Sequence, residues 1–231
     1  MTARRSLAIT AIAFVALAGC NTGSGVSGVG GSTNDAFLRI VNATGSALDL
    51  TSGGQVVGGS GHVTAGTTSD CIRVDPAGPA LGLREAGAVS DLGSFAPTIV
   101  ARTSYTVLAY TSDVGSTQTF TLVDAFTPTS GLAGLRIVDV APGLGSLDVY
   151  ITPRSGPLGV PSTASIGYDS NTGFFDVNAG TSQVRSTTAT TSTVVFDAGT
   201  INLIPGQLAT LVLSQPGGAA ATPVAKLIPA C

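Results

Sequence analysis

An internal repeat restricts the fold of this 231-residue chain most strongly, because two copies of one unit must form two similar structures. The segment Leu38-Arg39-Ile40-Val41 recurs as Leu135-Arg136-Ile137-Val138. Three further segment pairs keep the same order, namely 48–50 with 147–149, 65–67 with 179–181, and 105–108 with 208–211. The pair 65–67 with 179–181 has the widest spacing, which predicts a longer connection in the second copy. The repeat predicts two domains, residues 36–128 and 132–231, with a short linker around residues 127–131.

Both units have the sequence pattern of β-strands. Apolar and polar residues alternate in Leu38-Arg39-Ile40, in 119–122 and in 208–213, which is the period of a half-buried strand. Gly, Pro, Asn and Asp turn signals recur about every 8–12 residues, and no helical stripe follows the N-terminal segment. We expect an all-β protein with two tandem antiparallel β-sandwich domains, immunoglobulin-like or transthyretin-like.

The N-terminal residues have the pattern of an export signal. Arg4 and Arg5 precede an apolar run, residues 7–17, which is too short to span a membrane. The run ends in Leu17-Ala18-Gly19-Cys20, which resembles the bacterial lipobox. The resemblance implies a signal peptide at residues 1–19 and lipid on Cys20. An ordinary cleaved signal with a chance cysteine is the alternative.

Residues 20–35 are predicted to form a lipid-anchored flexible tether, because they are nearly all Gly, Ser, Thr, Val and Asn. Residues 23–28 match G-x-G-x-x-G, but no strand precedes them and no helical pattern follows, so we reject dinucleotide binding. Residue 21 is Asn rather than Asp, and by resemblance to lipoprotein sorting this favours the outer membrane in a host with two membranes.

The second unit carries a set of motifs at 135–140, 147–150, 168–181 and 203–213, and the first unit carries part of the same set. With these motifs, the repeated units resemble the bacterial domain-of-unknown-function family number 4397. The first unit has a shortened hairpin at 53–57 and lacks the aromatic segment. The resemblance implies exported or surface-associated β-sandwich proteins, often in tandem, without an assigned catalytic site.

The charge composition excludes a class of partners. Only 10% of the residues are charged and the net charge is −3. Loss of Arg4 and Arg5 with the signal leaves 8 basic residues against 13 acidic ones, a net charge of −5. A chain of this charge does not bind nucleic acid by neutralising phosphates.

The sequence offers little material for catalysis, and we expect no enzyme, cofactor or metal. The single histidine, His62, lies in a Gly-rich hairpin, so a hydrolase around it is a weak alternative. The acidic residues lie in turns and Trp is absent, which disfavours a glycosidase. The segment 169–173 resembles the start of a calcium loop, but the later Glu is missing and a plain turn explains it better.

Two cysteines remain if Cys20 carries lipid, and outside the cytoplasm an even pair is normally oxidised. Ile72 and Val74 share one face of a strand, so Cys71 points away from the first core. We predict a disulfide between Cys71 and Cys231 that joins the two domains.

These observations favour a lipid-anchored cell-envelope protein with a structural or binding, adhesion-like role. Its partners would be the membrane, through the N-terminal lipid, and an envelope protein or glycan. The long hairpin predicted at 152–176 concentrates Tyr168, Phe174 and Phe175, which form either a contact surface or part of the second core. The alternative from another functional class is an assembly subunit, which would pair with other chains through its sheet edges.

Overall fold

The structure is a computed structural model that describes residues 33–92 and 98–231. The predicted signal peptide, Cys20 and tether residues 20–32 lie outside the described residues. Apart from a single 3-10 turn at Gly59–Gly61, every regular element in the described part is a β-strand, which confirms the all-β prediction.

Eight described strands form the first sandwich and eight form the second. The first set is β1 (Ala36–Ala43), β2 (Leu48–Ser52), β3 (Gln55–Val56), β4 (His62–Val63), β5 (Ile72–Val74), β6 (Leu81–Glu85), β7 (Ser104–Thr111) and β8 (Thr117–Val123). The second set is β9 (Leu132–Val140), β10 (Leu147–Thr152), β11 (Thr163–Ile166), β12 (Ser170–Asn178), β13 (Gly180–Thr188), β14 (Val194–Leu203), β15 (Leu208–Ser214) and β16 (Val224–Pro229).

Each sandwich consists of two sheets around its own apolar core. The inner sheets, β5-β1-β7-β8 and β12-β9-β15-β16, are the two that face each other. The outer sheets are β2 with β3, β4 and β6 in the first sandwich, and β11-β10-β13-β14 in the second. Leu38 and Ile40 of β1 point into the first core, and Leu135 and Ile137 of β9 point into the second. The apolar residues of the repeated segment therefore face the two cores, and the polar residues between them face away.

The sheets are not purely antiparallel. β1 runs parallel to β7, and β9 runs parallel to β15. In each sandwich the chain passes through other strands before it returns beside its first strand, and such a long connection allows the neighbour to run in the same direction. Three of the repeated segment pairs occupy equivalent strands, which are β1 and β9, β2 and β10, and β7 and β15.

Two details of the sequence interpretation are wrong. Residues 65–67 precede the strand that pairs with β1, whereas residues 179–181 begin β13, so their Ala-Gly-Thr match is not a structural equivalence. Residues 152–176 do not form a hairpin, because β11 joins the outer sheet while β12 joins the inner one. The intervening residues 167–169 carry the chain from one sheet to the other.

The two sandwiches are packed against each other through their inner sheets. A third buried apolar cluster combines Val41, Leu108 and Tyr110 of the first sandwich with Val212 and Ile228 of the second. These side chains lie on the strand faces opposite to the cores. The four sheets are thus stacked in layers, and apolar side chains are buried at the middle layer boundary as well as in the two cores.

Candidate functional site

A buried ion pair occupies the interface between the sandwiches. Arg136 of β9 donates from Nη2 to Asp124 Oδ1 over 2.6 Å, and both side chains are almost completely buried. It also donates to Thr210 Oγ1 and to the carbonyl oxygen of Val123. Thr106 donates its hydroxyl to the second carboxylate oxygen of Asp124 over 2.7 Å. Burial lowers the pKa of Arg136, whereas the neighbouring Asp124 carboxylate opposes that shift.

Arg39 occupies the equivalent position in the first sandwich and makes a related contact. Its Nη1 donates to the carbonyl oxygen of Pro229 over 2.6 Å, and its Nη2 lies 2.9 Å from Cys71 Sγ. Val123 ends β8 and Pro229 ends β16, so each arginine reaches the end of the last strand in the other sandwich. The interface therefore has an approximate two-fold symmetry, as in an isologous dimer.

A disulfide joins Cys71 to Cys231, as predicted. Ile72 and Val74 are buried in the first core while Cys71 is exposed, which agrees with the predicted strand phase. The bond ties the β5 edge of the first sandwich to the C-terminal residue of the second. It lies beside the Arg39 contact, so a covalent and a polar connection meet at one end of the interface.

A cleft of about 520 Å³ opens at the end of the second sandwich. Its floor is apolar and includes Ile151, Phe175 and Val177, which also pack against the second core. Its lining further includes hydroxyl and amide side chains and one acidic residue: Thr152, Ser162, Asp176, Asn178, Thr181 and Ser182. No Lys, Arg or His contributes to the lining, so the cleft suits an uncharged group better than an anion.

A second cleft of about 490 Å³ lies between the sandwiches beside the disulfide. Ile204, Leu208 and Pro229 supply apolar lining from the second sandwich. Ser104 and Asp124 line it from the first. Because Asp124 is already paired with Arg136, its carboxylate does not need a ligand from this cleft.

The structure distributes the three predicted contact aromatics among different surroundings. Tyr168 packs against the interface cluster, and burial raises the pKa of its phenol. The ring of Phe174 lies 4.4 Å from the Arg136 guanidinium and is stacked on Phe126. Phe175 forms part of the floor of the 520 Å³ cleft. All three are half-buried, and their role as a partner-binding surface stays a prediction.

The segment that resembles a calcium loop contributes to the interface and to a turn. Tyr110 donates its hydroxyl to Asp169 Oδ1 over 2.5 Å, and burial is the main cause that raises the pKa of Tyr110. Asn171 Oδ1 accepts a hydrogen bond from the amide of Gly173. Within residues 33–92 and 98–231, no three His, Cys, Asp or Glu side chains are grouped as metal ligands.

His62 is paired with an acid on the outer sheet of the first sandwich. Its Nδ1 lies 2.7 Å from Asp49 Oδ1, and 54% of its side chain is exposed. A histidine that is oriented by an aspartate supplies two of the three residues of a hydrolytic triad, and the third is a nucleophile such as serine. The hydrogen bonds of the described residues bring no serine hydroxyl to the histidine ring.

Sequence reasoning did not identify Arg136, Asp124 or Asp139 as buried residues. A partial signal was present, because polar side chains interrupt the apolar strand at the same two positions of both copies, Arg39 with Arg136 and Asn42 with Asp139. Alternation indicates only that Arg136 faces away from the core, and it does not show that a second sandwich covers that face.

Comparison with known proteins finds a family model that matches part of the chain. Residues 36–150 match the family described as a domain of unknown function (DUF4397). The DUF4397 match covers just under half of the chain, from β1 through the first sandwich to Tyr150 in β10. It supports the family resemblance of the sequence, although it does not separate two tandem copies.

One solved structure is similar to part of the chain. The C-terminal domain of AlgF from P. aeruginosa shares 15% identity with it at a TM-score of 0.31, and the match covers 43% of this chain and 98% of that domain. No curated protein matches the chain. Among the described residues, no helix has the length and apolar character needed to cross a membrane.

Proposed function

We propose that this chain is a lipid-anchored protein of the bacterial cell envelope with a structural or binding role and no catalytic activity. The observation that carries the proposal is the Cys71–Cys231 disulfide, because such bonds persist outside the reducing cytoplasm. The lipobox-like sequence that ends at Cys20 supports the same compartment independently. In a host with two membranes, Asn21 after the cysteine favours the outer one.

The binding role rests on a rigid support for the cleft in the second sandwich. The interface, the buried ion pair and the disulfide hold the two sandwiches in one arrangement, so little ordering entropy is lost when a partner binds. The lining without basic residues favours an uncharged part of an envelope protein or a glycan. Phe175 in its floor is the aromatic residue through which we expect contact.

Acylation and fractionation of the full chain test the anchor. In a bacterial host, we expect the wild-type protein to carry lipid on Cys20 and to sediment with the membranes, because acyl chains partition strongly into bilayers. The Cys20→Ser variant should lose the lipid and appear in the soluble fraction. Thr22→Ser is the matched control and should behave like the wild type. A wild-type protein with an unmodified Cys20 would contradict the proposal.

Sheet-edge assembly is a second candidate function, and β14 is the observation that favours it. This strand has 10 residues, forms the edge of the outer sheet in the second sandwich, and exposes Val194 and Val195. Two register shifts in its pairing with β13 bend the edge and oppose simple strand addition. Size-exclusion chromatography of the wild type and of Val195→Lys decides, since only an edge-assembled oligomer should be disrupted by the charge.

A further inference from the structure

We propose that the Cys71–Cys231 disulfide is a thiol–disulfide exchange site, which a dithiol opens by attack on Cys231 while Cys71 leaves as a thiolate. Both cysteine residues are exposed, so an incoming thiol reaches the bond without prior unfolding of either sandwich. Exposed disulfides are more readily exchanged than buried ones. The inference goes beyond the proposed envelope role, because it makes this bond a reactive group as well as a connection between the sandwiches.

Arg39 distinguishes the two sulfur atoms of the disulfide. Its Nη2 lies 2.9 Å from Cys71 Sγ, where the guanidinium stabilises the negative charge that develops on this sulfur as the bond breaks. In thiol–disulfide exchange, the sulfur that forms the more stable thiolate leaves faster. The geometry therefore favours Cys71 as the leaving sulfur and Cys231 as the sulfur that is attacked.

The Arg39 guanidinium is held in place by a contact that does not involve the disulfide. Its Nη1 donates to the carbonyl oxygen of Pro229 over 2.6 Å. Pro229 is in turn held by the pairing of β16 with β15, where its partner is Ala209. The positive charge is thus oriented towards Cys71 before the bond opens, and little reorganisation is needed when the thiolate forms.

The other charges on the Cys71 side do not cancel this effect. Arg73 lies on the same strand face, and its Nε is 3.6 Å from Asp35 Oδ2, so these two charges offset each other. Asp70 is exposed to solvent, where water and salt screen its charge. The Arg39 guanidinium therefore dominates the local field at the Cys71 sulfur.

The cleft of about 490 Å³ between the sandwiches gives a thiol access to Cys231, which lines it. Ile204 and Leu208 supply apolar lining beside the cysteine. Asp124 is the acidic residue of the described lining, and its carboxylate is paired with Arg136. An incoming thiolate therefore approaches Cys231 without meeting an unpaired carboxylate in that lining.

The exchange transfers two electrons from the dithiol to the chain. One thiolate of the dithiol attacks Cys231 Sγ and forms a mixed disulfide, while the electron pair of the broken bond goes to Cys71 Sγ. The second thiolate of the dithiol then attacks its own partner sulfur in the mixed disulfide. This step releases Cys231 as a thiolate, which takes a proton from water, and the dithiol is oxidised to a disulfide. The chain then lacks the covalent connection between its sandwiches.

Reduction by dithiothreitol tests the role of Arg39 on the folded full chain, in which Cys20→Ser removes the third cysteine. We expect the reduction rate of this parent chain to rise in proportion to the dithiothreitol concentration. Arg39→Met should lower the rate by a factor on the order of three to ten. Arg154→Met is the matched control, because it removes an exposed positive charge from the turn after β10, and it should react like the parent. In guanidinium chloride above the unfolding transition, all three chains should react equally fast.

Glutathione locates the attacked sulfur and requires no arginine variant. The parent chain is treated with glutathione, the freed thiol is alkylated with iodoacetamide, and the peptides are identified by mass spectrometry. We expect glutathione on Cys231 and the alkyl group on Cys71.

Three results would overturn the proposal. They are glutathione on Cys71 or equally on both cysteines, a reduction rate that does not depend on the dithiothreitol concentration, and equal rates for the folded Arg39→Met and Arg154→Met variants. The envelope location is tested separately through the lipid on Cys20, so its failure is distinguishable from a failure of the exchange.

Discussion

Arg39 and Arg136 are the same residue of the repeat, yet they lie in different electrostatic environments. Arg136 meets the Asp124 carboxylate inside the interface, whereas Arg39 meets a carbonyl oxygen and a cysteine sulfur at its margin. The difference arises because Asp124 follows Val123 at the end of β8, whereas Ala230 follows Pro229 at the corresponding place in the second sandwich. A duplicated residue thus has its role set by what the other sandwich places opposite it.

Removal of Arg136 should destabilise the protein strongly. Arg136→Met leaves the Asp124 carboxylate buried without its cation, and we expect a loss of about 3–5 kcal/mol in the free energy of unfolding. The double variant Arg136→Met with Asp124→Asn should recover part of that loss, because the uncompensated charge is gone. Denaturant unfolding measures both, and equal stability of the single variant and the wild type would contradict the buried-pair interpretation.

Asn42 and Asp139 are also equivalent residues, and they show how one oxygen in place of a nitrogen changes the pH response. Each side chain accepts a hydrogen bond from a backbone amide two residues later. The Asn42 amide group also donates to the carbonyl oxygens of Ser46 and Val63. Asp139 Oδ2 is buried without a hydrogen-bond partner, and burial raises the pKa of this carboxyl to about 7.

The Asp139 carboxyl should therefore weaken the fold as pH rises. Its pKa is about 7 in the folded chain and near 3.8 when exposed, so between these values the folded state binds more protons. The contribution of this carboxyl to the free energy of unfolding is fully present below pH 4, and it is lost as the pH rises towards 7. Asp139→Asn removes this dependence, and its advantage over the wild type should grow by about 2–3 kcal/mol between pH 5 and pH 8.

The mirror substitution is the control for this prediction. Asn42→Asp replaces the two amide donors with an acceptor at a site that is equally buried. We expect this variant to be less stable than the wild type and to lose more stability at higher pH. Unfolding in denaturant at both pH values gives the comparison, and a pH-independent difference for both variants would refute the assignment to these carboxyls.

At the level of the strands, a residue of the connection that precedes β9 packs on the surface of β9. A Cβ atom at Gly134 would lie 2.8 Å from the Phe126 ring and 2.6 Å from Leu208 Cδ2. Phe126 then continues the stack through Phe174 to Arg136. The glycine therefore lets an aromatic residue of the connection reach the strand surface beside the buried ion pair.

Gly134→Ala should lower stability by about 1–3 kcal/mol, because the added methyl displaces Phe126 or Leu208. Gly45→Ala is the matched control, since no heavy atom lies within 4 Å of a Cβ at that position and its φ is not left-handed. We expect the control to unfold within about 0.5 kcal/mol of the wild type in the same denaturant titration. Equal stability of the two variants would show that Gly134 is not a packing position.

The strand level also shows where sequence interpretation is limited. Alternation predicted β1, β8 and β15, and the repeat extended the prediction to β7 and β9, because a half-buried strand alternates irrespective of its neighbours. It did not assign β11 and β12 to different sheets, since both have the same local pattern whichever sheet they join. Likewise, Phe174 and Phe175 are adjacent in sequence but point to opposite sides of β12, towards Arg136 and towards the cleft.

At the scale of the whole molecule, the two sandwiches are joined in three ways. The linker connects them along the chain, and the inner sheets bury apolar side chains between them. The disulfide joins Cys231 of the second sandwich to Cys71 of the first. The cysteines are 160 residues apart, so the covalent loop includes most of both sandwiches. Separation of the sandwiches would expose the apolar cluster and the Arg136 ion pair to water.

Loss of the disulfide should therefore lower the stability of the whole molecule. The entropy of closing a loop of this length corresponds to about 5 kcal/mol, and removal of native disulfides commonly costs about 2–5 kcal/mol. We expect the Cys71→Ser, Cys231→Ser double variant to unfold at lower denaturant concentration and to lose protection at its C-terminal strand first. Denaturant unfolding measures the stability, and hydrogen exchange measures the protection of the C-terminal strand. The reduced wild type is the control, and it should match the double variant in both measurements.

The sequence by itself determined the main strands, the repeat and the cysteine pair, because these depend on local alternation, turn chemistry and residue counts. It also predicted that Cys71 points outwards, since strand phase is a local property. Only the tertiary structure decided that the outward faces of β1 and β9 are buried against each other, and that Arg136, Asp124 and Asp139 are enclosed. It also formed the two clefts, whose lining residues are far apart in sequence. Burial of a face depends on residues distant in sequence, and no local pattern contains that information.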